Sequence, residues 1–175
     1  MALKCLNYKQ KRLGKSGATN TYHFIINSLY LCTVFSKAMV YITRRETFNA
    51  AHRLYREDWT EEQNEEVFGK CANKYFHGHN FQLFVTIKGI PDQKTGFIID
   101  LKLLSKIIKK NIIDVVDHSN LNIDVPFLKD KMPSIEIMVI EFWKILEEQL
   151  ADFDCLPHCL KLIETENNFV EYYGE

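Results

Sequence analysis

The first 38 residues contain no aspartate or glutamate, although they hold six basic side chains: Lys4, Lys9, Lys11, Arg12, Lys15 and Lys37. A long hydrophobic run is also missing there. The uncharged stretch FIINSLYLCTVF has only twelve residues, whereas a helix needs about 20 to cross a bilayer, so stable membrane insertion is not expected. A basic segment without acids is typical of a mitochondrial or secretory targeting peptide. Alternatively, translation begins at Met39, so we separate an extension, residues 1–39, from a functional domain, residues 40–175.

The five cysteines lack the regular spacing of a disulfide framework, and their odd number leaves at least one unpaired. Cys155 and Cys159 form a CxxxC pair without a second pair, so we interpret them as structural residues. These features favour a reducing compartment and a cytoplasmic location. A basic stripe is missing as well, because the 137 residues after residue 38 carry 16 basic and 23 acidic side chains. This balance argues against nucleic acid as the main partner.

Alternating apolar and polar residues predict strands at both ends of the domain. The alternation is strict in residues 77–88, where every second side chain shares one face. The predicted strands are residues 40–52, 77–88, 159–165 and 168–173. The turn sequence GIPDQKTG is followed by FIID, which we predict to close a hairpin.

Helical spacing of apolar residues predicts two helices in the middle of the domain. The first covers about residues 101–116 after the N-cap Asp100, and the second starts at Pro133 and Ser134. Residues 53–76 are polar and predict a loop or a short helical turn. Hydrophobic residues make up 46% of the chain, enough for one core. The order ββααββ therefore predicts an α+β fold with helices on one face of an antiparallel sheet.

Three histidines are candidate metal ligands. His77 and His79 are two positions apart on a predicted strand, so both point to the same side. His52 ends the preceding predicted strand and becomes their neighbour if the two strands form a hairpin. Three neutral imidazoles with one open position are typical of a catalytic zinc site. The alternative is that these residues are hydrogen-bonded core histidines.

Cys71 precedes the two histidines and has two possible roles. As a fourth zinc ligand it would close the site and make it structural. As a free thiol near a cation it would act as a base or nucleophile. Asp117 and His118 are candidate helpers, because an acid can orient a histidine that accepts the thiol proton. Alternatively, Asp117 is a turn acid and His118 a surface residue.

Glu164 shares its strand face with Leu160 and Leu162. A carboxylate on an apolar face is costly unless it is hydrogen-bonded or paired. A ligand with two adjacent N–H donors, such as the 2-amino-4-oxo edge of a pterin or guanine, would satisfy it. The alternative is an acid at the end of a strand that reaches solvent.

Several motifs together resemble the 6-pyruvoyl-tetrahydropterin synthase family. They are FNAAHRL (48–54), VFGKC (67–71), HGHN (77–80), DLKLL (100–104), VDHSNLNIDVPF (116–127) and ETENN (164–168). The resemblance covers about residues 43–175. It implies a T-fold, in which subunits pool their sheets into a barrel, usually as a homohexamer with active sites between subunits. It also implies conversion of 7,8-dihydroneopterin triphosphate to 6-pyruvoyl-tetrahydropterin, with triphosphate eliminated and side-chain hydroxyls becoming ketones.

The resemblance assigns roles to the candidate residues. It implies that His52, His77 and His79 bind zinc, that Cys71, Asp117 and His118 transfer protons, and that Glu164 anchors the pterin. The family usually has Thr-Thr-Glu-Asn at the start of the second helix, and here the segment is SIEI, which retains Ser134 and Glu136 in the substrate surroundings. Phe76 stands where glycine is common. Two alternatives stay open: the related 6-carboxy-tetrahydropterin synthase, and a non-catalytic paralogue that binds zinc or pterin.

Overall fold

The structure, a computed structural model, describes residues 38–175, and the predictions made for the preceding residues lie outside this range. Its strands form one five-stranded sheet with the order β3-β1-β2-β4-β5. Their bounds are β1 Val40–His52, β2 His77–Gly89, β3 Ser119–Asn120, β4 Cys155–Ile163 and β5 Phe169–Tyr172. The pairing is antiparallel except between β1 and the short β3. The predicted α+β class and antiparallel sheet are confirmed.

One face of the sheet is apolar because alternate strand residues point the same way. Phe48 and Ala50 of β1 are buried on this face, as are the side chains Phe81, Leu83, Val85, Ile87, Leu160 and Leu162. Phe48 stacks on Phe81 with ring centroids 4.8 Å apart. These side chains form the sheet half of the core.

The helices supply the other half of the core. Helix α1 is Glu61–Phe68, α2 is Leu101–Ile108, and α3 is Ile135–Gln149. Helix α2 continues through a π-helical turn, Lys109–Ile113, into a last α-helical turn, Asp114–Val116. The apolar residues of α2, of the π-helical turn and of α3 that face the sheet are fully buried: Leu104, Ile108, Ile112, Met138, Phe142 and Leu146.

Side-chain caps begin the helices, as predicted for two of them. Asp100 accepts a hydrogen bond from the N–H of Lys102 at 2.7 Å, and Ser134 accepts one from Ile137 at 3.5 Å. Helix α1 lies in the segment predicted as a loop or short helical turn, and Thr60 starts it with a capping box. The side chain of Asn64 in α1 is fully buried and bonds the backbone of Arg56 in both directions. Hydrogen bonds from the Asn64 amide therefore fix the position of α1, a role that buried apolar side chains usually have.

The predicted FIID hairpin is wrong, because residues 97–100 form no strand. Both edges of β2 are already paired near this end, since Gly89 aligns with Val40 on one side and with Cys155 on the other. The side chain of Ile98 packs instead against Gly89, where a Cβ atom would meet it at 2.6 Å. Strand β4 also starts four residues before the predicted position. Within residues 38–175, no helix is long and apolar enough to cross a membrane.

Candidate active site

The β1–β2 hairpin brings the three histidines together. His52 aligns with His77 and Ala50 with His79, so the predicted hairpin between these strands is confirmed. The ring centroids of the three histidines are 4.6 to 5.2 Å apart. A Cβ atom on Gly78 would lie 3.1 Å from the carbonyl oxygen of Ala50, which explains the glycine between the two β2 histidines. One ligand atom from each histidine lies within 4.8 Å of the others, so the group can hold a metal ion.

The imidazoles are prepared to act as neutral ligands. His52 donates Nδ1–H to the carbonyl of Pro133 at 2.8 Å, which leaves its Nε2 as the unprotonated atom. His52 Nε2 and His77 Nδ1 are buried and have no hydrogen-bond partner among the described residues. Burial lowers the pKa of His52, His77 and His79, and the neighbouring imidazoles add to this shift. Orphaned nitrogens on neutral rings fit a metal ion as the missing partner.

Glu164 lies beside these ligands at the end of β4. Its Oε1 is 3.5 Å from His52 Nε2 and 3.6 Å from His79 Nε2. Burial raises the pKa of Glu164, and the charge of Glu136 raises it further. Apart from these two contacts, the carboxylate of Glu164 has no hydrogen-bond partner among residues 38–175. The side chain is 19% exposed and faces the cavities beside the histidines.

Cys71 lies in a 3₁₀ turn, Gly69–Ala72, that follows α1. Its carbonyl accepts a hydrogen bond from Leu54 N–H at 2.9 Å, which ties the turn to the end of β1. The thiol is free and half-buried. It borders a cavity of about 1000 Å³ that His77, His79 and Glu164 also line. The candidate ligand group consists of the three histidines and does not include the Cys71 thiol.

Asp117 and His118 form a pair on the outer side of the sheet. Asp117 Oδ1 accepts the N–H of Asn49 at 2.8 Å, and His118 N–H donates to the Asn49 carbonyl at 2.6 Å. Asp117 Oδ2 is 3.0 Å from His118 Nδ1, and the Asn49 N–H is the main cause that lowers the pKa of Asp117. The His118 side chain is 77% exposed. Within the described part of one chain, no hydrogen bond joins this pair to Cys71.

Ser134 and Glu136 begin α3 beside the same site. Both line a second cavity, of about 400 Å³, together with His52, Cys71 and Glu164. The structure therefore brings seven of the nine predicted site residues to one region and leaves Asp117 and His118 on another surface.

The sequence comparison explains why these residues occur together. The model of the 6-pyruvoyl tetrahydropterin synthase family matches residues 41–175. The chain belongs to this family. It is 42% identical to the 6-pyruvoyl tetrahydrobiopterin synthase of Dictyostelium discoideum over 136 residues, which cover 78% of this chain and 97% of the relative.

Solved structures of the family have the same fold. The Caenorhabditis elegans 6-pyruvoyl tetrahydropterin synthase superposes with a TM-score of 0.73 at 33% identity, covering 79% of this chain and 97% of that chain. A 6-carboxy-5,6,7,8-tetrahydropterin synthase from Rickettsia typhi is less similar, with 28% identity over 76% of this chain and 99% of the relative. The predicted resemblance and T-fold subunit are confirmed.

Two contributors to the site have no signal in the pattern of side chains. The Pro133 carbonyl sets the tautomer of His52, and the Asn49 backbone holds Asp117 and His118 together. Both act through main-chain groups, which no side-chain pattern can indicate.

Proposed function

We propose that this chain is a 6-pyruvoyl-tetrahydropterin synthase, which converts 7,8-dihydroneopterin triphosphate to 6-pyruvoyl-tetrahydropterin and thus acts as a triphosphate lyase in tetrahydrobiopterin synthesis. One observation carries this proposal: three imidazoles lie close enough to hold one metal ion, two of them have orphaned nitrogens, and the cavities beside them are also lined by the free thiol of Cys71 and the carboxylate of Glu164. Family membership supplies the reaction that such a set of groups would serve.

Zinc is the metal that we propose for His52, His77 and His79. Three neutral imidazoles are a typical donor set for catalytic zinc, which leaves a position open for substrate. When bound, the ion would supply Lewis acidity toward the side-chain hydroxyls of the substrate. The protein contributes the tautomer of His52, through Pro133, and the close approach of the strands at Gly78.

Glu164 is the proposed anchor of the pterin ring. The adjacent N–H groups of the 2-amino-4-oxo edge would donate to its two oxygens, which accept no comparable hydrogen bond from residues 38–175. Pterin binding would stabilise the ionised form against the effect of burial, which raises the pKa. A fixed ring holds the side chain of the substrate in one orientation beside the metal ligands. Ser134 and Glu136 line the adjoining cavity and are proposed substrate contacts.

Cys71 is the proposed base, with His118 and Asp117 as its partners from another subunit. The His118 side chain is exposed, and neither member of the pair is bonded to Cys71 in its own chain, which supports a contact between copies. Asp117 orients His118, and His118 accepts the thiol proton. The thiolate then removes a C–H proton of the substrate. This arrangement requires an oligomer, and we propose the homohexamer of the family, with pooled sheets forming a barrel.

The test combines metal analysis with product analysis. Purified protein is analysed for bound zinc and then incubated with dihydroneopterin triphosphate and a sepiapterin-type reductase. We expect about one zinc per chain, release of triphosphate and formation of tetrahydrobiopterin. Formation of carboxy-tetrahydropterin instead would identify the other enzyme of this fold, which the sequence comparison does not favour. Binding without release of triphosphate would identify a non-catalytic paralogue.

Replacement of Cys71 separates the two roles considered for it. We expect Cys71→Ala to retain zinc and to abolish turnover, because the thiol lies outside the ligand group. Loss of zinc in this variant would make Cys71 a ligand and contradict its role as base. The three described cysteines, Cys71, Cys155 and Cys159, are free, and we propose a cytoplasmic location on that basis.

A further inference from the structure

Phe76 has a backbone conformation that its side chain disfavours. Its φ angle is 65°, in the left-handed region that glycine adopts easily and bulky residues adopt at a cost. Its N–H donates to the carbonyl of Asn73 at 2.9 Å, which closes the turn before β2. A strained residue directly before the metal ligand His77 requires a compensating contact.

That contact is the guanidinium of Arg53. Its Cζ lies 4.1 Å from the ring centroid of Tyr55 and 5.4 Å from that of Phe76. Cations are attracted to aromatic faces within about 6 Å, and the effect grows as the cation is desolvated. The Arg53 side chain is only 20% exposed. Two rings therefore hold one partly buried cation.

The main chain of Arg53 is held as firmly as its side chain. Its N–H donates to Asn122 Oδ1 at 2.9 Å, and its carbonyl accepts from Asn122 Nδ2 at 3.0 Å. Arg53 also follows the metal ligand His52 directly. The guanidinium consequently has a set position relative to the three histidines.

Most hydrogen-bond donors of this guanidinium are available. Its one acidic partner is Glu57, whose Oε1 lies 3.1 Å from Nη2 and whose side chain is 86% exposed. No other hydrogen bond of the guanidinium is found within residues 38–175, although arginine offers five N–H donors. Arg53 lines the cavity that contains Cys71, and Lys70 and Lys74 add positive charge there. The acids Glu61, Glu65 and Glu164 line the same cavity.

We propose that Arg53 binds the phosphate groups of the substrate and that Phe76 is a positioning residue that fixes the guanidinium for this contact. The inference rests on the proposed function, which makes the ligand a triphosphate ester. The planar fork of arginine matches two phosphate oxygens at once. Because the two rings restrict the side chain beforehand, less conformational entropy is lost when phosphate binds. The left-handed backbone of Phe76 is what places its ring in reach of Arg53.

The phosphate contact is tested by calorimetric titration of the full-length, zinc-loaded protein with inorganic tripolyphosphate. We expect Arg53→Gln to weaken binding by about tenfold or more, the size of a lost charged hydrogen bond. Phe76→Gly and Phe76→Ala should weaken it by about threefold to tenfold, and Phe76→Tyr, which keeps the ring, should restore it. Binding of dihydroneopterin without phosphate should not change, which shows that the variants are folded. In turnover assays, KM should rise more than kcat falls.

The strain is tested by thermal unfolding of the same variants. Phe76→Gly should melt a few degrees above Phe76→Ala, the reverse of the usual order, because only glycine adopts this φ freely. Asp130→Gly is the matched control, since Asp130 is exposed, has a φ of 60° and lies outside the cavity. This control should leave tripolyphosphate binding unchanged.

Two results would overturn the inference. Tripolyphosphate binding to Arg53→Gln with wild-type affinity would remove the phosphate contact, and wild-type affinity in Phe76→Gly would remove the positioning role. Product formation by the wild-type protein is measured in parallel. Tripolyphosphate binding that depends on Arg53, without any pterin product, would contradict the proposed function and leave the phosphate contact supported.

Discussion

Two carboxylates on the core face of the sheet have opposite surroundings. Glu46, in the middle of β1, is 8% exposed and accepts hydrogen bonds from Arg44 Nε and Ser105 Oγ, both at 2.7 Å. Lys109 Nζ adds a charge 3.8 Å away. Glu164, at the end of β4, has two imidazoles at 3.5 and 3.6 Å and no cation beside it among the described residues.

The pKa shifts of the two carboxylates differ in direction for this reason. Burial alone would raise the pKa of Glu46, but the hydrogen bonds from Ser105 and Arg44 prevail and lower it. Burial raises the pKa of Glu164, and the nearby His52 does not offset it. The charge of Glu46 is thus stabilised by hydrogen bonds and cations of the fold itself, whereas the oxygens of Glu164 can still accept hydrogen bonds from a ligand. The contrast separates an acid whose partners lie within the chain from one whose proposed partner is a ligand.

The largest effect is expected for Glu164→Gln in the turnover assay. Because an amide repels one of the two pterin N–H donors, kcat/KM should fall about 100-fold, which corresponds to about 2.7 kcal/mol. The melting temperature should not fall, since a buried charge without a strong partner is removed. Zinc content serves as the control and should stay constant. A large loss of stability would mean that Glu164 is a structural acid like Glu46.

Glu46→Gln should show the opposite behaviour. The change leaves Arg44 and Lys109 without their acid and weakens the bond to Ser105, so unfolding free energy should fall by about 2 kcal/mol. Urea denaturation measures this loss. Turnover at a temperature where the variant is folded should match the wild type, and a selective loss of turnover would assign Glu46 to the active site.

In zinc-free protein, the contributions of Glu46 and Glu164 to stability should depend on pH in opposite directions. The unfolded chain binds a proton at the ordinary glutamate pKa of 4.5, so the stability from Glu46, whose folded pKa is lower, is lost as pH falls below that value. For Glu164, whose folded pKa is higher, stability is lost as pH rises from 4.5 through the raised value. Denaturation of wild type, Glu46→Gln and Glu164→Gln across pH 3 to 8 (on the order of the titration range) checks both signs. Equal pH profiles for the two variants would contradict the comparison.

The smallest effect is expected for Ser105→Ala, which removes one hydroxyl from Glu46. Arg44 remains, so the loss should be about 1 kcal/mol. The double variant with Glu46→Gln should lose less than the two single losses combined, because both changes act on the same hydrogen bond. Additive losses would show that Ser105 stabilises the helix by another route.

The clustering of the three histidines was predictable because a strand repeats every two residues. That period placed His77 and His79 on one face, and the hairpin register then brought His52 opposite His77. Glu164 followed from the same alternation with Leu160 and Leu162. The alternation along the strands was therefore enough to predict the positions of those site residues that depend on one hairpin or one strand.

Features that depend on distant packing were not predictable. Whether Cys71 and His118 meet depends on how separate segments fold, which spacing in the sequence does not report. Helix α1 was underestimated because Asn64, a polar residue, fills its buried position. The FIID strand failed because β4, about 60 residues later in the chain, occupies the edge of β2 that it needed.

The register of the β1–β2 hairpin has a consequence for which changes of length the chain tolerates. The pairs from Val40–Gly89 to His52–His77 are continuous, so one residue added to β1 before Phe48 would shift Phe48 and His52 together relative to the preceding part of the strand and reverse the face on which they lie. The register of one hairpin thus positions both the core residues and the three histidines. The segment between the strands, residues 53–76, has no register to keep. Its length can change as long as Arg53, Asn64 and Cys71 keep their positions. Insertions and deletions should therefore concentrate in this segment among related sequences. A change of length within the paired strands should disrupt folding and metal binding together.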